Sequence, residues 1–521
     1  MINKINNTQY TIPKQQNKNT SFKSLSDLGL NGLNFLATNQ GLGACAVDLS
    51  SMVIPRTIID FKKRGSQAGI ETGIREGSSC LIHASIGLIG TAIGALVSNK
   101  INKKFNIKAH NIYANGETID YCADLWKKSG SKKEYFSKIL DSMQGLDGEV
   151  WKKIPKEVSE TVADSLANAG TDKSAIAKAV AQITKATGAQ ANFKIENGGK
   201  ILQNSAETIL EHAKSLSQAF EKVDISNTGL FNSFVSKLKK TKLITTIAGI
   251  GFCAALCMSI QPLNKFFTKM RTGQDGFVGV EGAGADNSKE FKIKKTAVGL
   301  GLLAAMHSSI GKPRNLLQNI QFNGKAPTIN QFKFIYGLTI ASRIFSARDN
   351  NELREGFIKD SLGFTNWLIL GGMVSKLSAR AMGKDLINNP VVAKNGKKGL
   401  KYAAEWITKA SVKNYSEILM PGAKELTRNG KLLNTAQLYK AADKATKSKV
   451  LKVAGSQILG YLYSGIVLGI GIAKLNIFIT NRIKNKEREQ SLSNNPIIVR
   501  VSDNTVKNQA LAFSMSNKIS K

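Results

Sequence analysis

Three stretches of this chain, 77–99, 243–264 and 453–473, run for more than twenty residues without a single Asp, Glu, Lys or Arg. A helix rises about 1.5 Å per residue, so each is long enough to cross about 30 Å of hydrocarbon. Two shorter charge-free runs, 296–311 and 361–375, are marginal by length, and a weaker one, 31–47, ends at Asp48. Helices in soluble cores seldom stay uncharged for so long, and the pattern predicts membrane-spanning segments. The alternative is a buried helix of a large soluble core. The runs are rich in Gly, Ser and Thr, and mean hydropathy over the whole chain is only −0.14. Lysines bracket the runs. Lys237, Lys239, Lys240 and Lys242 precede the second; Lys449 and Lys452 precede the third, and Arg482, Lys484 and Lys486 follow it. Such side chains snorkel to headgroups at helix ends. Both flanks of every run are basic, so charge asymmetry does not fix the topology.

The formal charge of +36 opens three partner classes: anionic lipid headgroups, nucleic acid and acidic proteins. Only 13 of the 73 basic residues are Arg. Base readout and stacking favour the planar guanidinium, so the balance argues against nucleic acid. Few aromatics (7%) and few prolines (9 in 521 residues) point to a mainly α, multi-helix protein. The cysteines Cys45, Cys80, Cys122, Cys253 and Cys257 are odd in number and form no CxxC pair, so no disulfide framework is expected. The polar first residues have no apolar core of a secretory signal.

The expected organisation is a disordered polar leader, 1–30, then an apolar helical hairpin with a charged elbow, 31–99. A polar amphipathic helical region, 100–242, follows. Apolar helices at 243–261, 296–311 and 361–375 occupy 243–375, with a Gly-rich loop at 271–290. A second polar helical region, 376–452, leads to an apolar helix at 453–480 and a polar tail, 481–521, with a short strand at 497–501. In the polar regions, segments such as SETVADSLANAG repeat apolar residues at three-to-four spacing, the pattern of amphipathic helices.

Charged elbows recur. ETGIREG begins at Glu71 and ELREG at Glu352; each follows an Arg-containing stretch and precedes a charge-poor run. Asp48, Arg56, Asp60, Arg75 and Glu76 flank the first, and Arg343, Arg348, Glu352, Arg354 and Glu355 the second. Two copies of helix, elbow, helix suit a duplicated membrane unit, with chance similarity as the alternative. In equivalent copies each elbow Arg has a carboxylate partner: Glu71 or Asp60 for Arg75, and Glu352 or Asp349 for Arg354. Charges at helix elbows usually cap helices or form solvated pairs; inside a membrane they become structural glue or a polar pathway. The combination MVIPRTIIDFKKRG, GIETGIREG and SARDNNELREG resembles a family of bacterial multi-helix membrane proteins over residues 31–100 and 330–380. That resemblance implies the cytoplasmic membrane of a bacterium and carries over no activity, cofactor or site residue.

Other motifs have plainer readings. GLGACA, GIGFCA and GLGLLA match a dinucleotide fingerprint in spelling, yet all three sit in apolar, helix-like surroundings with no leading strand. Small residues for close helix packing explain them. The pairs Gly90/Gly94 and Gly465/Gly469 have GxxxG spacing, which lets helix backbones approach and offers a face for homo-oligomers. Asp48, His83 and His307 are candidate polar residues within the membrane; for the histidines, a packed, satisfied role is the usual one. Cys253 and Cys257 share a helix face without a His or acid to complete a metal set. No nucleophile elbow, phosphate loop or zinc motif occurs. The expectation is therefore a multi-pass membrane protein with a structural or membrane-organising role, without catalytic, cofactor or metal residues. A peripheral helical protein on anionic lipid or nucleic acid, and a transporter or channel built on a duplicated unit, are the alternatives.

Overall fold

A computed structural model of the chain describes residues 25–101, 111–170, 174–197, 200–273, 285–311, 315–324, 326–391 and 399–494, together with 172 and 278. It is 76% helical and mainly α. Among the described residues, four helices are long and apolar enough to cross a membrane: Gly41–Arg64, Ser66–Val97, Thr228–Thr272 and Lys444–Ile483. The three long charge-free runs lie in the last three of these. The helices Lys289–Ser308, Ile329–Phe345 and Asn350–Thr365, the last continued to Met382, pack among them.

The bundle is built from helix pairs broken at elbows. The first pair is Gly41–Arg64 followed by Ser66–Ile101, with Gly65 between them at φ +95°, a conformation that favours glycine. The second is Ile329–Phe345 followed by Asn350–Thr365. There Asp349 starts the second helix by accepting from the amides of Asn351 and Glu352. Both elbows lie at one end of the bundle. Arg271, near the end of the long helix Thr228–Thr272, donates to the Gln67 carbonyl beside the first elbow. Lys265, one to two turns earlier, donates to the Ser346 carbonyl at the second.

At the opposite end each pair opens into a polar insert, and each insert returns through a long helix. The first insert holds helices Gly116–Lys127, Lys132–Ser142, Lys156–Asn168, Ser174–Thr187 and Ala206–Phe220. Their starts are fixed locally. Asn115, Ser131 and Ser205 accept from the amides of Thr118, Glu134 and Thr208. Their apolar faces, Tyr135, Phe136, Ile139 and Leu140 among them, close a common core. Between the helices lies an antiparallel sheet of four strands: β1 (Met143–Asp147), β2 (Val150–Lys153), β3 (Phe193–Asn197) and β4 (Lys200–Asn204), in the order β2-β1-β3-β4. The sequence reading of 100–242 included helices only. The strands escape it because MQGLD and VWKK do not alternate apolar and polar residues. Gly145 is required where β1 crosses β3, since a Cβ there would stand 2.7 Å from the Phe193 ring.

The second insert repeats the beginning of this order in smaller form: helix Leu400–Lys409, helix Tyr415–Leu419, a hairpin of Thr427–Arg428 and Lys431–Leu432, and helix Thr435–Ala441. Two sequence expectations meet the structure differently. Residues 25–30, placed in the leader, begin the helix Leu25–Thr38; residues 1–24 are outside the described residues. Residues 481–494, placed in the tail, continue the helix Ile472–Asn494. The strand at 497–501 and half of the 271–290 loop also lie outside the described residues, and the ends of that loop, 271–272 and 289–290, are helical.

Candidate functional site

The elbow charges converge. Arg343, near the end of its helix, donates from Nη2 to Glu76 Oε2 at 2.6 Å and from Nη1 to Asp360 Oδ1 at 2.6 Å. Lys359 Nζ reaches Glu76 Oε1 at 2.9 Å, and Arg75 stands 3.6 Å from Glu76 and 3.9 Å from Glu71. Arg64 Nη1 donates to Glu355 Oε1 at 2.9 Å and lies 3.8 Å from Asp60, which accepts from Thr72 at 2.6 Å. Thr480 also donates to Glu355. Glu352 binds Arg348 at 2.8 Å and Lys265 at 3.3 Å. These groups are buried or nearly so: Glu76 is 6% exposed, Arg343 7% and Asp360 0%.

The cross-links are reciprocal. Arg64 stands twelve residues ahead of Glu76, and Arg343 twelve ahead of Glu355. The Arg of each pair binds the Glu of the other: Arg64 to Glu355, and Arg343 to Glu76. The same order continues in the returning helices. Leu263, Asn264, Phe266 and Thr268 in the first have the spacing of Leu475, Asn476, Phe478 and Thr480 in the second. Phe136-Ser137-Lys138-Ile139-Leu140 and Tyr415-Ser416-Glu417-Ile418-Leu419 open matching places in the two inserts. These paired spellings were readable in the sequence; the elbows alone drew attention because their charges stand beside charge-free runs.

Not every elbow residue behaves alike. The carboxylate partner expected for Arg354 by equivalence with Arg75 is not found: among the described residues its Nε and Nη2 have no hydrogen-bond partner, because Glu352 is taken by Arg348 and Lys265 and Asp349 caps its own helix. Arg56 is 2% exposed, and none of its guanidinium nitrogens has a hydrogen-bond partner among the described residues. Asp48 is buried at the start of a π-helical turn, Asp48–Val53. His83 is packed between helices: Nε2 lies 3.2 Å from Thr339 Oγ1, and the ring meets Phe332 and Tyr336. His307 stacks on Phe334 at 4.6 Å, away from the charge layer. Of the glycine pairs, Gly90 faces the Phe322 ring and Gly94 is buried. Gly465 and Gly469 face Ser51, where a Cβ on Gly469 would stand 2.4 Å from the carbonyl oxygen. These packing faces are thus covered from within the chain. The five cysteines are buried and free, and no group of three metal-ligating side chains occurs among the described residues.

The two inserts dock on each other at the other end. Lys413 reaches Asp147 at 2.6 Å. Glu417 accepts from the amides of Gln190 and Ala191 across the junction, and from Asn388 and Asn414 within its own insert. Burial pushes the Asp147 carboxyl up, but hydrogen bonds from Lys152 and Lys413 outweigh it and hold the group below its usual range. His212, in the first insert, is pushed down to about 3 by burial and by nearby Lys242. The chain matches no protein-family model, no curated protein and no solved structure.

Proposed function

We propose that this is a multi-pass integral membrane protein with a structural, membrane-organising role. In this reading it is built from two equivalent halves, each a helix, an elbow, a second helix, a polar insert and a returning helix. One observation carries the reading: polarity is inverted along the bundle. At the level of the elbows Glu76, Arg343 and Asp360 are inside, while Ile74, Phe266 and Phe478 are 49%, 58% and 60% exposed. In water that arrangement would expose large apolar groups while stripping solvent from charges; in hydrocarbon it satisfies both. The basic excess fits headgroup contact. Residues 111–222 hold fifteen Lys against fifteen Asp or Glu, so the net charge of the chain comes from elsewhere, including the lysines at helix ends. Those are the positions that meet anionic lipid, and they argue against a nucleic-acid face on the larger insert.

A static role is favoured over transport because the halves are tied at both ends. Rocking one half on the other would break the buried Arg343–Glu76 pair and the partly buried Arg64–Glu355 pair at the elbow end. It would also break the Asp147–Lys413 pair and the amide bonds to Glu417 at the insert end. The transport reading has one observation of its own, the buried Arg56 beside the charge layer, whose guanidinium has no hydrogen-bond partner among the described residues. Extraction separates the embedded reading from a peripheral one. Alkaline carbonate should leave the protein in the membrane pellet, with detergent required for release; release by carbonate or high salt overturns the embedded reading. Spin labels on the two inserts separate the static and moving readings: one narrow distance distribution is expected, and two populations favour transport.

A further inference from the structure

We propose that the cavity between the first helix and the second half of the bundle binds a small aromatic molecule carrying a hydroxyl or carbonyl. The cavity has a volume of about 300 Å³, and Leu36, Trp367, Gly371, Gln457, Gly460 and Ser464 are among its walls. Its position identifies what fits it. In both halves the second helix and the returning helix approach closely at glycines. A Cβ on Gly249 would stand 3.2 Å from Gly90 Cα; one on Gly460 would stand 3.1 Å from the Gly371 carbonyl oxygen. In the first half this crossing is filled. The Phe322 ring lies over both glycines, 2.2 Å from where a Cβ on Gly90 would be and 2.9 Å from one on Gly249. Phe322 comes from the segment that leads into the first helix of the other pair, Ile329–Phe345.

In the second half the corresponding segment, leading into Gly41–Arg64, brings Leu36 to the crossing, and the space stays open. The protein itself therefore shows which group belongs between these paired glycines: a phenyl-sized planar ring. Trp367 supplies an aromatic wall for edge or offset stacking. Tyr415 donates to Gln457 Oε1 at 2.7 Å, which turns the amide NH₂ away from that bond and leaves it to donate to a ligand oxygen. The helix geometry marks the same place. The π-helical turn Asn366–Gly371 supplies Trp367 and Gly371 to the cavity wall, and the turn Gly465–Gly471 packs on both it and the turn Asp48–Val53. Such turns are concentrated at functional sites. The proposal rests on the geometry of the two crossings and does not depend on a structural or transport role.

The test uses the full-length protein in detergent micelles, with 4-fluorophenol as the probe and ¹⁹F NMR as the readout. One saturable site is expected in the parent. Leu36→Phe, which places the missing ring in the open crossing, should weaken binding at least tenfold while leaving the far-ultraviolet circular dichroism and melting temperature at or above parent values. Phe322→Ala should open the first crossing and raise the number of sites from one to two. A signal that grows linearly with probe concentration, as micelle partition gives, overturns the proposal. So does undiminished binding in a folded Leu36→Phe variant. If Phe322→Ala does not fold, the Leu36→Phe comparison decides alone.

Discussion

Neutralising Glu76 should weaken the bundle more than any other single charge removal at the elbows. Its carboxylate accepts from Arg343 and Lys359 at 2.6 and 2.9 Å, lies 3.6 Å from Arg75, and is 6% exposed. With Glu76→Gln, Arg343 keeps only Asp360 and Lys359 keeps no ion pair among the described residues. Removing one partner of a buried pair costs about 3–5 kcal/mol, because the charges left behind remain desolvated. Glu355→Gln should cost less, since Arg64 retains Asp60 at 3.8 Å. Lys128→Ala sets the baseline: it pairs with Asp124, both side chains are more than half exposed, and such pairs contribute about 0–1 kcal/mol. Equilibrium unfolding of the detergent-solubilised protein, followed by tryptophan fluorescence, measures all three. The combined variant Glu76→Gln, Arg343→Met, Lys359→Met and Asp360→Asn removes the charges together and should recover most of the loss. If Glu76→Gln and Lys128→Ala are equally mild, the layer is hydrated and does not hold the halves together.

Three further outcomes follow from local geometry. Gly465→Arg should lower insertion of the 453–473 segment by about 2.5–3.5 kcal/mol in a translocon reporter; unchanged insertion would remove that span. Gly469→Leu should abolish stable folding, because its Cβ would meet the Ser51 carbonyl oxygen and the Pro55 ring, whereas Gly251→Ala, with open space around it, should melt at or above the parent temperature. The inserts should be acid-labile. His212 stays neutral in the fold, so its contribution is full above about pH 6.5 and is lost as pH falls toward about 3, on the order of 5 kcal/mol. Asp147, held low by its lysines, loses its contribution as pH falls below the usual carboxylate range. Melting at pH 7 and pH 4.5 should show this loss in the parent, and His212→Gln should reduce it; equal pH sensitivity in both proteins would refute the role of His212.

The long apolar helices were legible because absence of charge is a local property, readable in any window of twenty residues. The elbow residues were legible for the same reason, as abrupt charges beside those runs. What they bind was not. Arg64 and Glu355, like Arg343 and Glu76, are far apart in the chain, and nothing near Glu76 marks Arg343 as its partner over the adjacent Arg75. Nothing local marks Lys359 and Arg64 as site residues because, in a chain with 73 basic residues, one more Lys or Arg on a helix looks like solvated surface. The sheet in the first insert stayed hidden because its strands are short and depend on tertiary contact. Gly145 is chosen for the passage of Phe193, a contact no local pattern encodes.

In the membrane setting proposed above, the reciprocal ion pairs also solve a problem that apolar packing leaves open. In hydrocarbon a helix gains little by burying Leu or Ile against another helix, since lipid tails are equally apolar, and small-residue contacts tolerate sliding by a turn. A one-turn slip of Ile329–Phe345 against Ser66–Ile101 would keep much of its van der Waals contact but would carry Arg343 about 5 Å from Glu76 and strand both charges. The penalty for that slip is the cost of breaking a buried pair, about 3–5 kcal/mol. The pairs therefore set the register of one half on the other, even where replacing them all with apolar residues would leave total stability almost unchanged. Because each half supplies one Arg and one Glu, the two links constrain each other: a shift that shortens one pair along the bundle axis lengthens the other. A single link would resist translation only, whereas two reciprocal links also resist tilting about the line between the elbows, and the docked inserts at the far end close the remaining freedom.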